Sequence, residues 1–301
     1  MYFQKLITLT AFILISFNAS ASNLKNFKIG SLYEGDKLTE VSLDDAIADI
    51  QPGSIIVLGE LHAFYNKDGG TDYNEHQKKQ LLFLNRLQAL NPGKKINVGM
   101  EFINLTYNKE IEEYLADTVT DQEFIKNVGW TAHFASYKPL IKFPKASGGV
   151  TRGINLPRSI SGKIAKRTPL TADEQKLMPP NFEVGRDEYR QRFSDLMGGG
   201  HLPPDAIEPY FEAQSSWDDT MAYQSVEYMK NRPDEFFVII VGDFHAQFGG
   251  GLPDRLKARG AKLVVNISQI SAGADDDSAI TKRIATDKHG DNRGDFIWIS
   301  E

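Results

Sequence analysis

The chain has 301 residues, a formal net charge of −6, 41% hydrophobic and 25% charged residues, and no cysteine. That length suits one large domain or two small ones, and the apolar share supports a packed core rather than disorder. The lack of cysteine excludes disulfides, thiolate metal sites, c-type haem attachment and a cysteine lipid anchor, and an acidic chain without a basic stripe argues against nucleic acid.

Lys5, the apolar run Leu6 to Phe17 and the small-x-small pattern Ala19-Ser20-Ala21 read as an export signal over 1–21, too short to span a membrane. Cleavage after Ala21 would leave a soluble protein, 22–301, with no transmembrane span and a net charge of −7, because only Lys5 is lost. Export without cysteine fits a bacterial periplasm. Phe27 to Leu32 is then expected as a first strand. A short helix follows, started by Ser42 with Asp45 and stopped at Pro52-Gly53.

Ser54 to His62 (SIIVLGELH) reads as a buried strand that turns at Gly59 and delivers Glu60 and His62. A polar loop over Asn66 to Asn74 leads to a helix from Glu75 to Leu90, with His76 in its first turn. Ile96 to Phe102 delivers Glu101, and Val150 to Asn155 delivers Asn155. Helices are expected over Asn108 to Leu115, Asp121 to Val128 and Lys138 to Ala146, with Trp130, His133, Phe134 and Tyr137 in an aromatic-rich turn between them. Strand signals vanish from Leu156 to Asn231. Phe237 to His245 (FVIIVGDFH) then repeats the first pattern and delivers Asp243 and His245. Gly249-Gly250-Gly251 opens a helix over Pro253 to Ala258, and Lys262 to Ser268 is another strand. An acidic, polar region reaches to Arg293, and Phe296 to Ser300 is expected to close the sheet at an edge.

The fold expected is α/β, a mainly parallel sheet flanked by helices, with a helical insertion or lid over 157–231 between the fourth and fifth core strands. Four strand-like segments drop polar groups at the same relative place, and ligands of open α/β sheets bind beyond the carboxyl ends of the strands. His62, His76, His245 and Asp243 are ligands suited to zinc, manganese or non-haem iron, with Glu60 or Glu101 as a general base. The plainer alternative has each histidine capping a neighbouring element. Asp218 and Asp219 resemble a solvated pair on a helix, although Asp219 shares a stripe with Tyr223 and is a candidate to face inward.

GELH, the helix at His76, GMEF, Trp130 with YKPL, GINLPR, WDDTMA and VGDFH with GGGLP together resemble the ChaN-like haem-binding uptake family. That family lies within the Tiki/TraB and erythromycin-esterase-like superfamily. The resemblance runs from about Val41 to Arg259. It implies an exported haem binder that pairs as a homodimer around haem, with a tyrosine on the iron and a role in haem or iron uptake. Tyr137 is the first candidate for that ligand, with Tyr65, Tyr73 and Tyr107 behind it. Arg158 is matched to a haem propionate, with Asn155 and Asp219 at the cofactor. Superfamily relatives are hydrolases, metal-dependent in the Tiki case, which makes a metal-dependent hydrolase using Glu60, His62, Glu101 and His245 the rival. A non-catalytic module for an anionic ligand is the third reading.

Overall fold

The computed structural model describes residues 26–66, 71–130, 133–198 and 203–301. The expected export signal, 1–21, and the glycine pairs at 69–70 and 199–200 lie outside the described residues.

Two short strands, β1 (Leu32–Glu34) and β2 (Glu40–Val41), precede helix α1 (Leu43–Ala48) and strand β3 (Ile55–Glu60). A small antiparallel hairpin, β4 (Phe64–Asn66) and β5 (Thr71–Tyr73), leads into α2 (Glu75–Leu90) and β6 (Ile96–Asn104). Helices α3 (Asn108–Leu115), α4 (Asp121–Val128), α5 (Phe134–Lys142) and α6 (Pro144–Ser147) return the chain to β7 (Thr151–Asn155). Then come α7 (Arg158–Ala165), α8 (Ala172–Gln175), α9 (Asp187–Gly198) and α10 (Pro204–Met229), before strand β8 (Phe236–Gly242). The chain ends with the single turn α11 (Asp243–Ala246), α12 (Leu252–Ala258), β9 (Val264–Ser271), α13 (Asp277–Ile284) and β10 (Phe296–Ser300).

Eight strands form one sheet in the order β2-β1-β10-β9-β3-β8-β6-β7. Neighbours from β10 to β7 run parallel, and β1 and β2 add an antiparallel margin. β3 and β8 are buried along their whole length. Such strands need cover on both faces. Successive side chains point to opposite faces, so Ile56, Leu58, Val238 and Ile240 share one core with Phe83, Leu84 and Leu87 of α2. Ile55, Val57, Phe237, Ile239 and Val241 share the other with Met221 and Ala222 of α10 and Leu252 and Leu256 of α12. The protein is therefore a helix–sheet–helix sandwich. Its long helix α10, inside the 157–231 stretch, is packed flat as a layer of that sandwich.

Three expectations are corrected at the margins. β10 is not an edge strand, because β1 pairs along its outer side. Part of the expected loop at 66–74 closes as the β4–β5 hairpin, with Phe64 stacked on Tyr73 at 5.0 Å. The first strand begins only at Leu32, since Gly30 turns the chain (φ +94°) and Phe27 folds back onto the Tyr33 ring.

Candidate functional site

β3 and β8 lie side by side and parallel, with Glu60 opposite Gly242, and β6 pairs along the far side of β8. The two glycine-acid-x-histidine stretches thus end next to each other, with Glu101 beside them. The acids are one residue out of step across this pair, so they point to opposite faces. Glu60 turns toward α5. Asp243 turns toward β9, where it accepts from Ser268 at 2.6 Å and pairs with Arg293.

Glu60 is 2% exposed at the end of β3. Its Oε1 accepts from the Tyr137 hydroxyl at 2.5 Å and lies 3.1 Å from His62 Nδ1. Its Oε2 is buried and has no hydrogen-bond partner among the described residues. The His62 side chain is half-exposed, and its ring meets Phe102 edge-on at 4.6 Å. Burial disfavours its charged form, but the hydrogen bond to Glu60 and the Glu101 and Glu60 charges outweigh this and raise its pKa. Gly242 makes room for that ring, since a Cβ there would stand 2.8 Å from His62 Cε1.

Glu101 takes the Gly242 backbone N–H at 2.6 Å through Oε2, and its Oε1 stands 3.5 Å from His245 Nε2. Burial works against the Glu101 charge. His245, His62 and the Gly242 N–H overcome it and hold the carboxyl down at about 2. The other His245 nitrogen, Nδ1, is 2.6 Å from Asp218 Oδ1 on α10. Burial opposes the imidazolium, yet carboxylates on both sides raise His245 to about 10. Asp218 is itself buried, which pushes its pKa up, and it accepts from the Tyr189 hydroxyl at 3.0 Å. Gln214, one helical turn before Asp218, reaches His245 Nδ1 at 3.1 Å. The rim therefore holds a chain of alternating acids and imidazoles, closed at the insert end by Tyr189.

A protein-family model described as haem-binding uptake, Tiki superfamily, ChaN, matches residues 46–256. This chain belongs to that family. A search of curated proteins finds no match. Among solved structures, ChaN of Campylobacter jejuni, described as binding haem cofacially, aligns with a TM-score of 0.62 at 16% identity, over 91% of this chain and 98% of that one. The type III effector HopBA1 aligns with a TM-score of 0.43 at 12% identity, over 86% and 91% of the two chains. The toxin effector domain RRSP from Vibrio vulnificus gives 0.38 at 18%, over 79% of this chain and 36% of that one.

Not every residue expected at this rim reaches it. His76 is wholly buried: its Nδ1 accepts the Leu61 N–H at 2.7 Å, and its Nε2 lies 3.3 Å from Ser271 Oγ. With both ring nitrogens engaged in this way it is a strut under the rim, and burial lowers its pKa to about 3. Asp243 is committed to Arg293 and Ser268, and His245 Nδ1 to Asp218. Among the described residues no three His, Asp or Glu side chains gather in a metal-holding group, so zinc or manganese gains no support. Asp219 does face inward, but onto Arg255 Nε at 3.0 Å and Arg259 at 2.5 Å, away from His245. Neither acid of the 218–219 pair is solvated, both being fully buried. Asn155 caps its own strand end by accepting the Leu156 N–H at 2.8 Å.

Tyr137 is the largest correction. It is 2% exposed, donates to Glu60 and accepts from Ala63 N at 3.1 Å and Gln77 Nε2 at 3.2 Å. Burial and the Glu60 charge push its phenol far above the usual range, which disfavours the phenolate an iron ligand requires. Tyr65 is 56% exposed on the hairpin just beyond His62, and Arg158 is exposed in the first turn after β7. Sequence reasoning missed Asp218, Gln214, Tyr189 and Arg293. The four-residue spacing of Gln214 and Asp218 was the available signal for two of them.

Proposed function

We propose that the chain is an exported haem-binding protein of haem or iron uptake, binding at this rim once the 1–21 segment is removed. Tyr65 carries the reading. Of the four tyrosines considered as iron ligand it is the exposed one, and its phenol has no hydrogen-bond partner among the described residues. Haem, when bound, supplies a ferric iron that takes a tyrosine oxygen and two propionates that seek cations. Tyr65 fits the first and Arg158 the second. Exposed Leu61, with Phe102 and Trp130 packed 5.8 Å apart behind His62, provides the apolar wall a porphyrin face requires. Pairing of two copies across this rim would cover Leu61 and Tyr65. Titration with hemin tests it: a saturable Soret shift is expected, weakened at least about tenfold by Tyr65→Phe. No saturable shift in the unaltered protein would overturn the proposal.

One observation favours a hydrolytic second reading. Haem binding does not call for a buried carboxylate with an unpartnered oxygen, yet Glu60 Oε2 sits so beside a half-exposed imidazole. Since His62 and His245 are both raised, they would serve as proton donors and Glu60 as the base. Turnover of a p-nitrophenyl ester, with and without added zinc or manganese, tests this. Activity that survives Glu60→Gln, or its absence from the unaltered protein, removes the reading.

A further inference from the structure

Leu61, His62 and Ala63 join β3 to β4 outside any strand, so no sheet ladder fixes them. Three buried side chains do so instead. His76 Nδ1 accepts the Leu61 N–H at 2.7 Å, Gln77 Nε2 donates to Leu61 O at 3.2 Å, and the Tyr137 hydroxyl accepts the Ala63 N–H at 3.1 Å. Gln77 Nε2 also lies 3.2 Å from the Tyr137 hydroxyl, which itself donates to Glu60 Oε1. That carboxylate oxygen is the one His62 Nδ1 faces at 3.1 Å. His76 and Gln77 lie in the first turn of α2, and Tyr137 comes from α5. One hydrogen-bonded unit from two helices therefore grips the turn and reaches the imidazole. Space filling does not call for it. Tyr137 stands 4.7 Å from Phe102 and 5.4 Å from Trp130, where a phenylalanine ring would pack as well. What the hydroxyl and the amide add is their hold on the turn and on Glu60.

We infer that Tyr137, Gln77 and His76 are positioning residues for ligand binding at the rim: they hold the 61–63 turn in one conformation, with Leu61 and the His62 ring presented outward. Leu61 is 43% exposed and the His62 side chain half-exposed, although everything that anchors them is buried. The turn also leads straight into β4, which carries Tyr65. Were it to swing away, the His76 ring nitrogen and the Gln77 amide would be left unpaired in the interior, which opposes the motion. A turn ordered in advance has little freedom left to lose on binding, so its contacts appear as affinity. The consequence for haem rests on the reading above, whereas the hold on the turn does not.

Tyr137→Phe and Gln77→Leu test the inference by amide hydrogen exchange, imidazole NMR titration and hemin titration. The Ala63 amide should exchange about tenfold faster in Tyr137→Phe, the worth of one hydrogen bond. The Leu61 amide should do the same in Gln77→Leu, while Val57 and Val238 within the strands stay unchanged. His62 should titrate closer to its ordinary value in Gln77→Leu, because the freed turn carries the ring away from Glu60. Hemin affinity should fall about tenfold in both variants. Haem bound to Tyr137→Phe should keep the absorption bands of the unaltered complex; their loss would make Tyr137 the iron ligand and overturn the inference. A drop in stability with local exchange and the His62 titration unmoved would also overturn it, as would unchanged hemin affinity in variants whose turn has loosened. Failure of the unaltered protein to bind hemin would remove the haem reading alone, since exchange and the His62 titration still decide whether these side chains hold the turn.

Discussion

Asp218 Oδ1 on α10 lies 2.6 Å from His245 Nδ1 on the turn after β8, and both side chains are buried. This contact ties the helical stretch that follows β7 to the second histidine of the rim. It also completes a relay from Tyr189 through Asp218 and His245 to Glu101.

Asp218→Ala should therefore act on both stability and titration. Removing one partner of a buried ion pair leaves a charge without its counterpart, at a cost of about 3–5 kcal/mol. His245 loses the nearer of its two carboxylates, so its pKa should fall from about 10 toward the ordinary value. Denaturant melts measure the first effect and imidazole NMR titration the second. An unmoved His245 titration would show that Glu101 alone holds the proton.

Asp219 supplies the contrast. It is one residue on, yet bound to Arg255 and Arg259 rather than to the rim. Asp219→Ala is expected to destabilise by a similar few kcal/mol, while hemin affinity stays within a factor of about two of the unaltered protein. Coupled loss of hemin binding, measured on folded protein, would place Asp219 back at the site.

The contrast also marks what the sequence could convey. The rim was legible because it is written in backbone terms: an apolar run, a glycine, then a polar side chain, at Glu60, Glu101 and His245. Choosing between Asp218 and Asp219 was not, since adjacent helical positions differ by about 100° and only the packing of α10 on β8 and α12 decides which meets a histidine. Tyr137 misled for a related reason. The family resemblance made it the first candidate, but access to the phenol depends on Glu60, Ala63 and Gln77, which the fold brings in from far along the chain. Arg293, expected at the end of an acidic, polar region, is instead buried against Asp243, just after β8, and Ser268 in β9.

The two strand-end glycines should differ in tolerance. At Gly242 an added Cβ meets the tip of the half-exposed His62 ring at 2.8 Å, which can swing outward. At Gly59 it meets Asp243 Oδ1 at 2.4 Å and Asp243 Cα at 3.2 Å, where the side chain is held by Arg293 and the backbone cannot give. Gly242→Ala is expected to cost about 1 kcal/mol and Gly59→Ala about 3 kcal/mol or more, read from urea midpoints. Equal losses would mean that the Asp243–Arg293 pair yields freely.

The pH dependence of stability should peak near pH 6.5, because two buried histidines pull in opposite directions. His245 is raised from 6.5 to about 10, so its stabilising contribution is fully present below pH 6.5 and is lost as pH climbs toward 10. His76 is lowered from 6.5 to about 3 by burial, so the folded protein resists a proton the unfolded chain accepts, and stability falls as pH drops from 6.5 toward 3. Glu101, held at about 2, adds its own loss once pH passes below the unfolded carboxylate value near 4.5. Each group limits the slope to about 1.4 kcal/mol per pH unit. Denaturant melts across pH 4–9 should show the maximum. His76→Gln should flatten the acid limb and leave the alkaline limb in place, whereas Asp218→Asn should flatten the alkaline limb alone.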